Sequence, residues 1–151
     1  MKTELVLTPD SLGTQMTDRE RIERFEDGTL PPEHFHHRDH VRMAFLYLTE
    51  YPVLEALQAF SSALRRFADS HGKPQLYHVT VTWAYVFLIH QRMARGGNPQ
   101  SWEEFARNNP DLLQWKDGIL TRYYRAETLA SDLAKAIFVL PDLRNETTPN
   151  A

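Results

Sequence analysis

The chain has 151 residues and a formal charge of −3, from 17 Lys+Arg against 20 Asp+Glu. That is one domain's length, and it lacks the basic balance of a nucleic-acid binder or of a polybasic membrane-surface segment. A chain this long buries roughly 70% of its unfolded surface, and apolar residues run throughout it, so neither size nor composition favours disorder.

Residues 1–16 read as an arm, with a short extended piece at Leu5, Val6 and Leu7. Thr17 and Glu20 have capping-box spacing, in which each side chain satisfies an orphan N–H at a helix start. Ile22 and Phe25 give that helix an apolar edge, and Gly28 ends it. Pro31-Pro32 makes a stiff connector. A second helix is expected over residues 36–51, with His37, Val41, Ala44 and Leu48 on one stripe and His40 and Phe45 at its edges. Pro52 is expected as the first residue of a third helix, which carries Val53, Leu54, Leu57, Phe60, Leu64 and Phe67 until His71-Gly72-Lys73-Pro74 stops it.

Residues 77–95 contain a β-branched run at Val79-Thr80-Val81-Thr82. Their length and lack of internal turn signals favour a buried central helix, closed by Gly96-Gly97. Ser101 with Glu104 is a second capping box that opens a short helix through Phe105, and Asn109-Pro110 starts another with Leu112, Leu113 and Trp115. Residues 118–125 read as a turn or helix. A last helix over 128–138 turns Leu129, Leu133, Ala134 and Ile137 inward, and residues 144–151 form a frayed tail. The expected fold is all-α, an irregular bundle of six or seven helices in a single domain over residues 17–143.

Zero cysteine excludes disulfides, thiolate metal sites, iron–sulfur clusters and cysteine nucleophiles. The seven histidines carry the chemistry, four of them at His34, His36, His37 and His40. His37 and His40, three apart on a helix, can converge on one point, and His78 opens the central helix on a stripe with Thr82, Tyr85 and Ile89. If those helix starts lie side by side, three imidazoles with an open position suit Zn, Fe or Cu. Glu127 is the candidate fourth ligand or general base, and Tyr124 the candidate pocket hydroxyl. Tyr77, Tyr85 and Tyr123 are further candidates for a pocket wall, and Arg122, Arg125 and Lys135 for an anion contact. His34, His36, His71 and His90 are read as solvated or structural. No Gly-rich phosphate loop, G-x-S-x-G elbow or H-E-x-x-H motif is present.

Three segments carry a resemblance: Phe25-Glu26-Asp27-Gly28-Thr29-Leu30-Pro31, Phe35-His36-His37-Arg38-Asp39-His40-Val41 and Tyr77-His78-Val79-Thr80-Val81-Thr82. Asn109-Pro110-Asp111-Leu112-Leu113, Tyr124 with Glu127, and Pro141-Asp142-Leu143 extend it, over roughly residues 21–143. The chain resembles a family of small bacterial all-helical proteins of uncharacterised activity, with an H-x-x-H-L helix and a Y-H-x-T helix. The resemblance points to His37, His40, His78, Tyr124 and Glu127, and implies an acidic residue where this chain has Val79.

The leading expectation is a small soluble protein with a histidine-lined pocket that holds a divalent transition metal and is open to metal-dependent catalysis. One alternative is a metal-free small-molecule binder or acid/base enzyme using the same histidines. The other is a structural or interaction module whose histidines serve the core. The expected partner is a small molecule rather than nucleic acid or membrane, and a homodimer stays open. Residues 1–15 lack the basic start and apolar run of a secretory signal, and the apolar stretch 79–89 is too short to span a bilayer, so a cytoplasmic protein is expected.

Overall fold

The computed structural model describes residues 16–97 and 99–143, so the expected extended piece near Leu5 and the expected tail after Leu143 lie outside the described residues. Among these residues the chain is all-α. Its helices are α1 (Asp18–Asp27), α2 (His37–Glu50), α3 (Val53–Ser70), α4 (Val79–Gly96), α5 (Trp102–Asn108), α6 (Ala126–Ala130) and α7 (Asp132–Ala136). Short 3-10 turns at Pro32–His34, Pro74–Leu76, Pro110–Leu113 and Ile119–Arg122 join them. No helix is long and apolar enough to cross a membrane among the described residues.

Local chemistry sets the helix starts. The Thr17 hydroxyl accepts from the Glu20 N–H at 3.1 Å, and the Glu20 carboxylate accepts from the Thr17 N–H at 2.9 Å. Ser101 and Glu104 repeat the exchange at 3.1 Å in both directions. Gly28 stops α1 in the left-handed region at φ 81°, which a side chain would strain. Pro52 precedes α3 as its N-cap rather than forming its first residue.

The core sits where α2, α3 and α4 pack on one another. α2 contributes Val41, Ala44, Phe45 and Tyr47, α3 contributes Leu57, Phe60, Leu64 and Phe67, and α4 contributes Tyr85, Val86 and Ile89. Phe25 from α1 lies within 5.0–6.3 Å, centroid to centroid, of Phe35, Phe67, Phe60 and Tyr47, so an aromatic layer ties α1 to α2 and α3. A second aromatic group, Phe45 with Phe105 at 4.9 Å and Trp102 at 5.7 Å, holds α5 against the other side of α2. The Asn109-Pro110-Asp111 turn is tied to α4 by Arg92, which donates to Asn109 Oδ1 at 2.8 Å and to both Asp111 carboxylate oxygens at 2.8 and 3.0 Å. Paired charges in this bidentate geometry fix direction as well as distance.

The expected last helix over 128–138 is corrected. Ser131 is extended at φ −75° and ψ 151°, ends α6 and caps α7 by accepting from the Ala134 N–H at 3.1 Å. The break rotates the apolar pattern: Ala134 is buried as expected, but Leu133 and Ile137 are 60% and 51% exposed.

Candidate functional site: a histidine-lined pocket

The faces of α2, α3 and α4 do not close completely on one another. Between them lies a cavity of about 770 Å³, within the range typical of small-molecule sites. Its walls combine the stripe His37, Val41 and Ala44 of α2 with Phe60, Leu64 and Phe67 of α3 and Thr82, Tyr85 and Ile89 of α4. These side chains are buried or half-buried, whereas Pro32, His36, Lys73, Leu76 and Trp115 around them are exposed and mark the mouth. Five of the seven histidines line this space: His36, His37, His40, His71 and His78. No Asp or Glu does.

The helix starts thus bring His37, His40 and His78 to one pocket, and each is oriented by backbone. His37 donates from Nε2 to the Leu112 carbonyl at 2.9 Å, while Tyr85 and Trp115 flank its ring, each with its ring centroid 5.0 Å away. His40 stacks on Phe35 at 4.0 Å and is hydrogen-bonded to the backbone of that residue. His78 is the N-cap of α4: its Nδ1 accepts from the Val81 N–H at 3.1 Å and its Nε2 donates to the Leu129 carbonyl at 2.7 Å. One bond requires a bare nitrogen and the other a protonated one, so His78 is a neutral ring with both nitrogens engaged.

That geometry lends no support to the expectation of a metal held by His37, His40 and His78. A ligating imidazole presents a lone pair, and the only lone pair of His78 already takes a backbone N–H. Among the described residues no group of three His, Asp or Glu is arranged to hold a metal ion. The described donors therefore leave the expected Zn, Fe or Cu site unsupported.

Glu127 and Tyr124 lie apart from this pocket. Glu127 is exposed on α6 and absent from the pocket wall. Tyr124 is buried, but its hydroxyl donates to the Val139 carbonyl at 2.6 Å and its ring lines a smaller cavity of about 230 Å³ with Tyr123, Phe87 and Phe138. Of the candidate tyrosines, Tyr77 and Tyr85 reach the histidine pocket. Of the candidate cations, Arg122 lies 3.6 Å from Asp111. Val79 is buried outside the pocket wall, so the implied acidic residue is not missing from this cavity.

The pocket residues overlooked in the sequence are His71 and Trp115. His71 is the C-cap of α3 and lies on Phe67 at 4.3 Å. Burial acts on several of these groups in the same direction. It pushes the His40 imidazole down to about 4, helped by a neighbouring His37 charge and opposed by the Phe35 backbone bond. It lowers His37 also, against the Leu112 carbonyl, and raises the Tyr85 hydroxyl to about 12. Near neutral pH burial therefore keeps the His37 and His40 imidazoles uncharged and the Tyr85 phenol intact.

Comparison with known proteins finds no matching family model, no matching curated protein and no matching solved structure.

Proposed function

We propose that this protein is a metal-free binder of an uncharged, largely apolar small molecule, held in the cavity between α2, α3 and α4. The observation that carries the reading is the wall itself: an apolar floor of Phe60, Leu64, Phe67, Val41 and Ile89 under a few oriented polar groups, with no carboxylate among the described residues. Sites for small organic ligands share that composition. The histidine-to-backbone bonds make the wall rigid before a ligand arrives, which lowers the ordering cost of binding.

The test is titration with an uncharged, environment-sensitive naphthalene dye that lacks O–H and N–H groups. Saturable fluorescence enhancement is expected from the native protein. It is expected to be lost in Ala68→Phe, whose ring would occupy the cavity from α3, while helical circular dichroism is retained. No saturable binding to the native protein, or equal binding to a folded Ala68→Phe, overturns the reading.

A further inference from the structure

Within that pocket the hydrogen-bond pattern assigns protons, and the assignment narrows the ligand. The His37 Nε2–H is directed to the Leu112 carbonyl, so in the neutral ring Nδ1 is a bare acceptor, and no described residue hydrogen-bonds to it. His71 leads to the same chemistry by another route. The single hydroxyl proton of Ser70 goes to the Phe67 carbonyl at 2.9 Å, so its oxygen can only accept from His71 Nδ1 at 3.3 Å. In the neutral ring the remaining nitrogen of His71, Nε2, is then a bare acceptor, and it is a buried atom with no hydrogen-bond partner among the described residues. A buried acceptor left unmatched is costly, so such an atom calls for a donor. His78 offers nothing further, because both of its nitrogens are engaged.

We infer that the pocket selects neutral aromatic molecules carrying a hydroxyl or N–H donor, of the phenol or indole class, with that donor directed to the free imidazole nitrogens of His37 or His71 and the ring lying on the apolar floor. This rests on the binding reading above and adds the ligand's chemical class to it. A carboxylate would bring acceptors to acceptors. It would gain only if His37 or His71 took a proton, and burial opposes that at His37. Lys73 stands at the exposed mouth, where a solvated cation attracts an anion weakly. A cationic ligand finds no carboxylate on the wall. The Tyr85 hydroxyl, which no described residue hydrogen-bonds, stands beside Gly118 and can serve a ligand as donor or acceptor.

The probes are three molecules with one ring system: 2-naphthol, 2-methoxynaphthalene and 2-naphthoate, measured by calorimetry at pH 7.5 on the full chain. The expected order is 2-naphthol about tenfold or more tighter than its methyl ether, consistent with one well-made hydrogen bond in a desolvated site, with 2-naphthoate weakest. In the double variant His37→Phe with His71→Phe, the naphthol preference is expected to collapse to less than threefold. Equal affinity for naphthol and its ether in the native protein overturns the inference, as does tightest binding of naphthoate. Retention of the full preference in the double variant overturns it too. If the donor-free dye binds but naphthol shows no preference, the pocket reading stands and the ligand class falls. If neither dye nor naphthol binds, both fall.

Discussion

Burial makes protonation of His40 costly to the fold. Its ring stacks on Phe35, and burial holds it neutral down to about pH 4 against an ordinary value of 6.5. The sign of the effect follows from linkage. The unfolded chain takes a proton at His40 as pH falls through 6.5, whereas the folded chain resists until about 4. The stabilisation is therefore complete above pH 6.5 and is lost progressively as pH falls towards 4, reaching about 3 kcal/mol at about 1.4 kcal/mol per unit. The depressed His37 adds in the same direction. Carboxylates held low by their partners, such as Asp111 beside Arg92, lose their contribution at more acid pH, so the variant must isolate the histidine. His40→Phe keeps a ring on Phe35 and removes the proton. Its melting temperature is expected to vary much less than that of the native chain between pH 7 and 4.5. Parallel pH curves for the two proteins would show that His40 titrates normally in the folded state.

At the scale of elements, the start of α4 works as a clasp. His78 caps its own helix and holds the Leu129 carbonyl of α6, and Thr80, fully buried, donates to the Ile137 carbonyl at 2.8 Å and accepts from the Val139 N–H at 3.0 Å. Tyr124 adds its bond to Val139, and Asp142 accepts from the Arg125 N–H at 3.0 Å and from the Thr128 hydroxyl. The C-terminal segment is thus fastened by bonds in addition to the packing of Leu129, Ala134 and Phe138, while Leu133, Ile137 and Leu140 stay exposed. Removing His78 deletes a helix cap and a second backbone bond, each worth about 1 kcal/mol. His78→Ala is expected to lose about 2 kcal/mol in urea denaturation and to speed amide exchange across residues 126–139. A metal-ligand role would instead leave metal-free stability nearly unchanged. What was legible in the sequence follows the same division between local and distant. Capping boxes at Thr17 and Ser101, and the faces that place His37 with Ala44 and His78 with Tyr85, depend on residues three to eight apart in the chain, and all were readable. Ser131 was equally local, but the apolar spacing of Leu129, Leu133 and Ile137 across it masked the break. His71 follows α3 outside its periodic run, and the positions of Tyr124 and Glu127 depend on contacts between distant segments that no spacing encodes.

For the whole molecule, the question is why a bundle with so many large side chains leaves a cavity of about 770 Å³ between its three longest helices. Small residues are part of the cause. Ala44 on α2 and Ala68 on α3 stand on its wall, so neither helix projects a large group into the space there. Proline-bounded 3-10 turns at Pro32–His34 and Pro74–Leu76 hold Pro32 and Leu76 at its mouth. Water inside such a space touches apolar wall on most sides, at about 25 cal/mol for each Å² left wet. Filling it is therefore a route to greater stability. Ala68→Leu adds methyl and methylene groups that would shelter part of that wall, a gain of about 1 kcal/mol if half of the added surface becomes buried. The ligand-free variant is expected to have a higher urea midpoint with an unchanged slope, and to bind the naphthalene dye more weakly than the native chain. That pairing is the signature of a cavity maintained at the expense of stability. If Ala68→Leu is instead destabilised, the space closes in solution or is already packed by its own side chains, and the cavity is not the pre-formed binding site inferred from its walls.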